Sequence, residues 1–147
     1  MNIIIDRASS RGHANHGWLN TYHTFSFANY FNPDRMQFGA LRVLNDDTVL
    51  PDEGFGTHPH KNMEVISIPL KGKLRHGDSL NNSHTITRGE IQLMSAGTGI
   101  LHSEYNDSST DNLEFLQIWV IPDRINTEPK YKAYDIKPLL KHNEIST

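Results

Sequence analysis

The 147-residue chain contains no cysteine. That excludes a disulfide framework and any thiolate chemistry, and leaves imidazole and carboxylate as the donors available to a metal. No apolar run approaches the ~20 residues needed to span a bilayer as a helix. The amino end has three consecutive isoleucines, Ile3, Ile4 and Ile5, with Asp6 and Arg7 directly after them, which is not the pattern of a signal sequence. Lys/Arg runs are missing as well, and the formal net charge is −3. Direct binding to nucleic acid or to an anionic membrane is therefore not expected. Helical periodicity is almost absent. Charged residues at 21% and aromatics at 9% belong to a folded chain rather than a disordered one, and the length is that of one domain with one core. A soluble cytoplasmic protein is expected.

What the chain does contain is short alternating segments separated by turn residues. Ile3, Ile4 and Ile5 read as an edge strand. Residues 23–31 alternate, with His23, Phe25, Phe27 and Phe31 on one face, and predict a strand. A second is expected over 37–44, and Asn45-Asp46-Asp47 and Pro51-Asp52-Glu53-Gly54 read as turns. Residues 63–70 are apolar on both sides and predict a strand packed on both faces. Further strands are expected over 72–76, 84–87, 90–94 and 113–121, the last ended by Pro122. The tail, 127–147, is expected to pack extended, with a helical turn near 139–141. Short strands at this spacing make the chain all-β, an antiparallel sandwich or barrel.

Two pieces carry the candidate chemistry: Thr57-His58-Pro59-His60 and Ile100-Leu101-His102-Ser103-Glu104, the second delivered by the turn Ala96-Gly97-Thr98-Gly99. Each places two metal-ligand side chains at i and i+2. Side chains two apart on an extended chain stand on one face and can converge on one point. One His-x-His pair is weak evidence in a chain with nine histidines, but two same-face pairs are harder to obtain by accident. His58, His60, His102 and Glu104 form a ligand set suited to iron, zinc, copper, nickel or manganese, with positions left over for substrate or dioxygen.

These motifs resemble the cupin superfamily, and within it the pirin family. His58-Pro59-His60 with Glu64 is similar to the first cupin motif. Gly89, His102 and Asn106 match the second, with Ser95 where proline is usual and a longer turn between Gly97 and His102. Pirin-like stretches include Gly17-Trp18-Leu19, His23-Thr24-Phe25-Ser26-Phe27-Ala28, Gly54-Phe55-Gly56-Thr57-His58-Pro59-His60, 94–104 and Gln117-Ile118-Trp119. The resemblance implies a cupin-type antiparallel β-barrel (double-stranded β-helix or jelly roll), a single domain over 1–147 with its core at about 20–122 and an extended tail, 123–147. It implies a divalent metal, most often iron(II), on His58, His60, His102 and Glu104, with Glu64 not a ligand. It also implies quercetin 2,3-dioxygenase-like activity on a small aromatic substrate with dioxygen. The alternative is a non-enzymatic iron protein that senses redox state and acts through protein partners. Pirins normally have two barrels, so an exposed apolar surface and a homodimer are expected here.

Glu104 is the candidate proton acceptor. Phe25, Phe27, Met94, Phe115 and Trp119 are candidate walls for a planar substrate, each also accountable as barrel core. His23 would bind substrate, or support a ligand by a hydrogen bond, or simply be a core histidine. His13, His16, His76, His84 and His142 are expected to be solvated, Asp78 to be a turn residue, and Glu64 to pair with Lys61, Lys71 or Lys73.

Overall fold

The computed structural model describes residue 5 and residues 7–144. Strands β1 (Gly12–Asn15), β2 (Leu19–His23), β3 (Leu41–Val49), β4 (Gly54–His60), β5 (Glu64–Lys71), β6 (Lys73–Asp78), β7 (Ser83–Thr87), β8 (Glu90–Ser95), β9 (Ile100–Asn106), β10 (Leu113–Val120) and β11 (Lys130–Asp135) form two sheets. The larger has the order β1-β2-β3-β10-β5-β8-β11 and the smaller β4-β9-β6-β7. Every paired neighbour is antiparallel. The all-β expectation holds, and the two sheets close on each other as a cupin-type barrel.

Alternation decides what faces inward. Along β10, Leu113, Phe115 and Gln117 are buried while Glu114, Leu116 and Ile118 are half-buried. Two apolar clusters result: Leu19, Val49, Leu74, Ile86, Leu113 and Phe115 form one, and Val65, Met94, Ala96 and Ile100 the other. Between them runs a polar layer. In the larger sheet His23 pairs with Asn45, Asn45 with Gln117, Gln117 with Ser67, and Ser67 with Gln92, all buried and all at one level. Each is a polar residue at an inward position of its strand. Register alone assembles them into a belt.

Several local expectations are corrected. Residues 24–31 are not a strand. β2 ends at His23, and Phe27 and Tyr30 bridge across a turn in which Ala28 has φ 47°. The following loop is held by arginines instead of a ladder: Arg35 Nε donates to the Thr24 carbonyl and Arg42 Nη1 to the Ser26 carbonyl. These bonds satisfy backbone acceptors that strand pairing would otherwise take. Residues 37–40 turn back through Gly39 (φ 57°), so β3 begins only at Leu41. It then runs straight through Asn45-Asp46-Asp47, expected to be a turn, because Asn45 and Asp47 face the interior and Asp46 meets Arg11 at 3.3 Å outside. On β5 the inner face is buried, but Ile66 and Ile68 opposite are only half-buried.

The tail is more ordered than expected: β11 pairs with β8, and the 3-10 turn falls at Lys137–Leu139. Ile5 lies outside any strand, and Ile3 and Ile4 lie outside the described residues. Among the described residues no helix is long and apolar enough to cross a membrane.

Candidate metal centre

β4 and β9 pair so that His58 lies opposite His102 and His60 opposite Ile100. Gly54 allows this close approach, since a Cβ there would lie 2.3 Å from the Glu104 carbonyl oxygen. The same-face geometry expected of each i, i+2 pair places the three imidazoles together. Their ring centroids are 4.4 Å (His58–His102), 4.8 Å (His60–His102) and 4.9 Å (His58–His60) apart, and one donor atom from each lies within 4.8 Å of the others. Glu104 is not part of that group. It lies two residues along β9 on the same buried face as His102.

The protonation states suit metal binding. His58 Nδ1 is 2.7 Å from the Gly56 carbonyl, an acceptor only, so Nδ1 is the donor in that bond and Nε2 is the nitrogen left to face a metal. Burial, reinforced by His58, holds His60 down at about 4. Burial, with the charges of His58, His60 and His76, holds His102 at about 2. Neutral imidazole is the metal-ligating form. Both ring nitrogens of buried His102 lack a hydrogen-bond partner, which is costly unless something else binds them. The donor set and this orphaned pair fit a divalent metal.

Glu104 is fully enclosed. Ser67 Oγ and Gln92 Nε2 each donate to its Oε1 at 2.6 Å, and Gln117 Nε2 donates to Oε2 at 2.8 Å. Tyr131 of β11 donates to Gln92 Oε1 at 3.2 Å and so orients that amide. Burial still pushes the Glu104 carboxyl above its ordinary value, against the Ser67 hydroxyl, the charges of His76 and His58, and the Gln117 amide. A cation beside it would offset that desolvation.

The remaining candidates separate. His23, with Nδ1 3.0 Å from Asn45 Oδ1, and Phe27 line a cavity between β1–β3 and β4. Trp119 stands edge-on to His60 at 4.7 Å and to Phe27 at 5.4 Å. Met94 and Phe115 sit in the two apolar clusters, and Phe25 is buried beside the Arg35 guanidinium. His76 corrects an expectation: it is fully buried, bonded to Asp78 at 2.9 Å and stacked on Tyr131 at 4.2 Å. Asp78 is the last residue of β6 and its carboxylate braces the turn that follows, accepting from the Leu80 and Asn82 backbone. Glu64 accepts from Ser95 Oγ rather than pairing with a lysine.

Ser67, Gln92, Tyr131 and Asp47 were not anticipated as parts of the site. The signal for Ser67 was a lone polar residue at the inward parity of an apolar strand. Asp47 was hidden inside an apparent turn. Burial raises it to about 7, reinforced by Glu104 and Asp46 and partly opposed by the adjacent Thr21 hydroxyl. Because its folded value is raised, the stabilisation from proton binding is fully present below about 4. It is lost as pH climbs through about 7, an effect of about 4 kcal/mol. In metal-free protein, Asp47→Asn should therefore gain stability relative to the parent between pH 4 and pH 8. A difference in urea midpoint that stays constant across that range would contradict this.

Two antiparallel sheets closing on a histidine triad define a cupin-type β-barrel. The cupin domain of Schizosaccharomyces pombe Cnp3 shares this fold at 10% identity, with a TM-score of 0.55 over 82% of this chain and 71% of that one. The chain belongs to the Pirin family, whose model matches residues 5–120. It is 54% identical over 130 residues to the quercetin 2,3-dioxygenase of Escherichia coli K12, covering 88% of this chain and 56% of that relative. It superposes with a TM-score of 0.86 on the bacterial pirin YhhW of Escherichia coli in complex with nickel(II), 53% identical, over 88% of this chain and 56% of that one. The chain thus spans about half the length of the curated relatives it matches.

Proposed function

We propose that this chain carries the metal centre of a dioxygenase of the quercetin 2,3-dioxygenase type, a cytoplasmic enzyme that acts on flavonol-like aromatic substrates with dioxygen. The observation that carries the reading is the triad of converging imidazoles, with both ring nitrogens of buried His102 unpartnered. The names of the 54% and 52% identical relatives support the substrate class. His58, His60 and His102 would hold the metal, iron(II) in this reading, with the Glu104 carboxylate as fourth donor. When bound there, such a metal supplies Lewis acidity toward a substrate hydroxyl and one-electron chemistry toward dioxygen.

The chain's own residues do the rest. The His58 Nδ1–H bond to Gly56 aims Nε2 inward, as outer partners of metal-ligating histidines do. Glu104, its basicity raised by burial, accepts the proton of the flavonol 3-hydroxyl at Oε2, the oxygen that has a single donor. Ser67 and Gln92 keep the other oxygen in place. Trp119 packs its edge on His60 and excludes water from that side of the site.

In this reading the whole chain, 1–147, works as one barrel with its tail, since Tyr131 of β11 reaches the belt. A homodimer is supported by Leu44, Ile118, Ile66 and Leu93, which form one registered row on the outer face of the larger sheet and are only half-buried. Iron-loaded protein should consume dioxygen when quercetin is added, and metal-free protein should not. An oxygen-electrode trace that stays flat in both would overturn the assignment.

A further inference from the structure

The cavity between β1–β3 and β4 has a volume of about 520 Å³, within the ~300–1,000 Å³ usual for small-molecule sites. Its walls are aromatic: Trp18, Phe27, Tyr30 and Phe55 all face it. Trp18 and Phe55 stand edge to face at 5.2 Å, leaving flat ring surface of the kind that stacks on another ring. Its floor is different. Thr21 and Asp47, opposite each other on β2 and β3, are both 2% exposed. Thr21 Oγ1 and Asp47 Oδ1 have no hydrogen-bond partner. The Thr21 hydroxyl acts on the Asp47 carboxyl without closing a full hydrogen bond to Oδ1, and two buried polar atoms left short of partners beside one cavity are costly unless an occupant completes them. Gln117 also lines the cavity while donating to Glu104 Oε2. An occupant therefore lies one side chain away from the candidate metal centre.

We propose that this cavity binds the hydroxylated ring of a planar aromatic substrate, and that Asp47 and Thr21 read its phenolic hydroxyl groups. The substrate class rests on the dioxygenase reading above; the position of the ring and the residues that read it rest on the cavity. The lining holds no lysine or arginine, its only basic side chains being the imidazoles of His13, His16 and His23, so an anionic head group such as a phosphate has no permanently charged partner there. Within the flavonol-like class, the group that donates to a carboxylate oxygen while its ring stacks is a phenol. Asp47 and Thr21 thereby become specificity-determining residues, separate from the imidazoles that hold the metal.

The two tryptophans make the test direct, since Trp18 lines the cavity and Trp119 stands against His60. Metal-free protein carrying Trp119→Phe is titrated with quercetin and with 3-hydroxyflavone, which has the same ring system without the additional hydroxyls, while Trp18 fluorescence is followed. Quercetin should quench Trp18 and bind more tightly than 3-hydroxyflavone. Asp47→Leu and the isosteric Thr21→Val should each weaken quercetin by about tenfold, the effect of one lost hydrogen bond to a buried group, and change 3-hydroxyflavone less than about twofold. Thr21→Val preserves volume, so the comparison survives if Asp47→Leu fails to fold. Failure of both ligands to quench Trp18, or equal weakening of both by the variants, would overturn the proposal. Quenching with hydroxyl discrimination but without oxygen uptake in the iron-loaded protein would sink the dioxygenase reading and leave the cavity assignment standing.

Discussion

Replacing His102 with alanine is expected to take bound metal from near one ion per chain to near zero. His102 is the β9 member of the triad and faces His58 directly across the β4–β9 pair. Without it the remaining imidazoles both come from β4, and the one other donor in this reading, Glu104, is tied by three hydrogen bonds to Ser67, Gln92 and Gln117, so the site loses the imidazole that links the two strands. The loss should exceed the ~10–100-fold typical of removing an outer partner of a ligand. The metal-free barrel should stay folded, because neither His102 nitrogen makes a hydrogen bond that the substitution could break. What is lost is packing around a small void. Elemental analysis together with the far-ultraviolet spectrum checks both halves. Stoichiometric metal in the variant would remove the triad from the account.

Glu104→Ala should behave in the opposite way, lowering the stability of the metal-free fold itself by about 3–5 kcal/mol. The carboxylate receives hydrogen bonds from Ser67 on β5, Gln92 on β8 and Gln117 on β10. Removing it takes the acceptor from the Ser67 hydroxyl and the Gln117 amide, leaves the Gln92 amide only its bond to Ser67, and opens a void between the sheets. The desolvation that raises its own pKa is relieved at the same time, which offsets part of the loss. A loss of this size is a large share of the ~5–15 kcal/mol that holds a domain folded. Glu104→Gln keeps the volume but turns one acceptor into a donor facing other donors, so its loss should be smaller. Urea unfolding of the metal-free variants measures this. An unchanged midpoint in Glu104→Ala would show that the carboxylate does not close the polar belt.

Legibility followed the range of the interaction. The His-x-His of β4 and the His-x-Glu of β9 were readable because both depend only on the period of an extended chain, and β10 was readable for the same reason. Residues 24–31 alternate just as well and are not a strand, since Arg35 and Arg42 from further along the chain satisfy the backbone there. Alternation reports which residues share a face only after something else has made the segment a strand. β11 was missed because its buried contribution is small: Tyr131 alone reaches the belt, too little to raise a pattern above a polar background.

Composition and local period by themselves pointed to an all-β chain with no thiol chemistry, and to three histidines and a glutamate on two extended segments as its metal-binding candidates. Only the tertiary structure decided that His76 is buried against Tyr131 and that Asn45 and Asp47 point inward from an apparent turn. Only it showed that His23, Asn45, Gln117, Ser67 and Gln92 stand in one row, with Glu104 bonded to the last three. The reason is physical. A polar side chain in a strand shows its parity to the sequence, but its partner is chosen by the register between strands far apart in the chain, and register exists only once the sheets have closed.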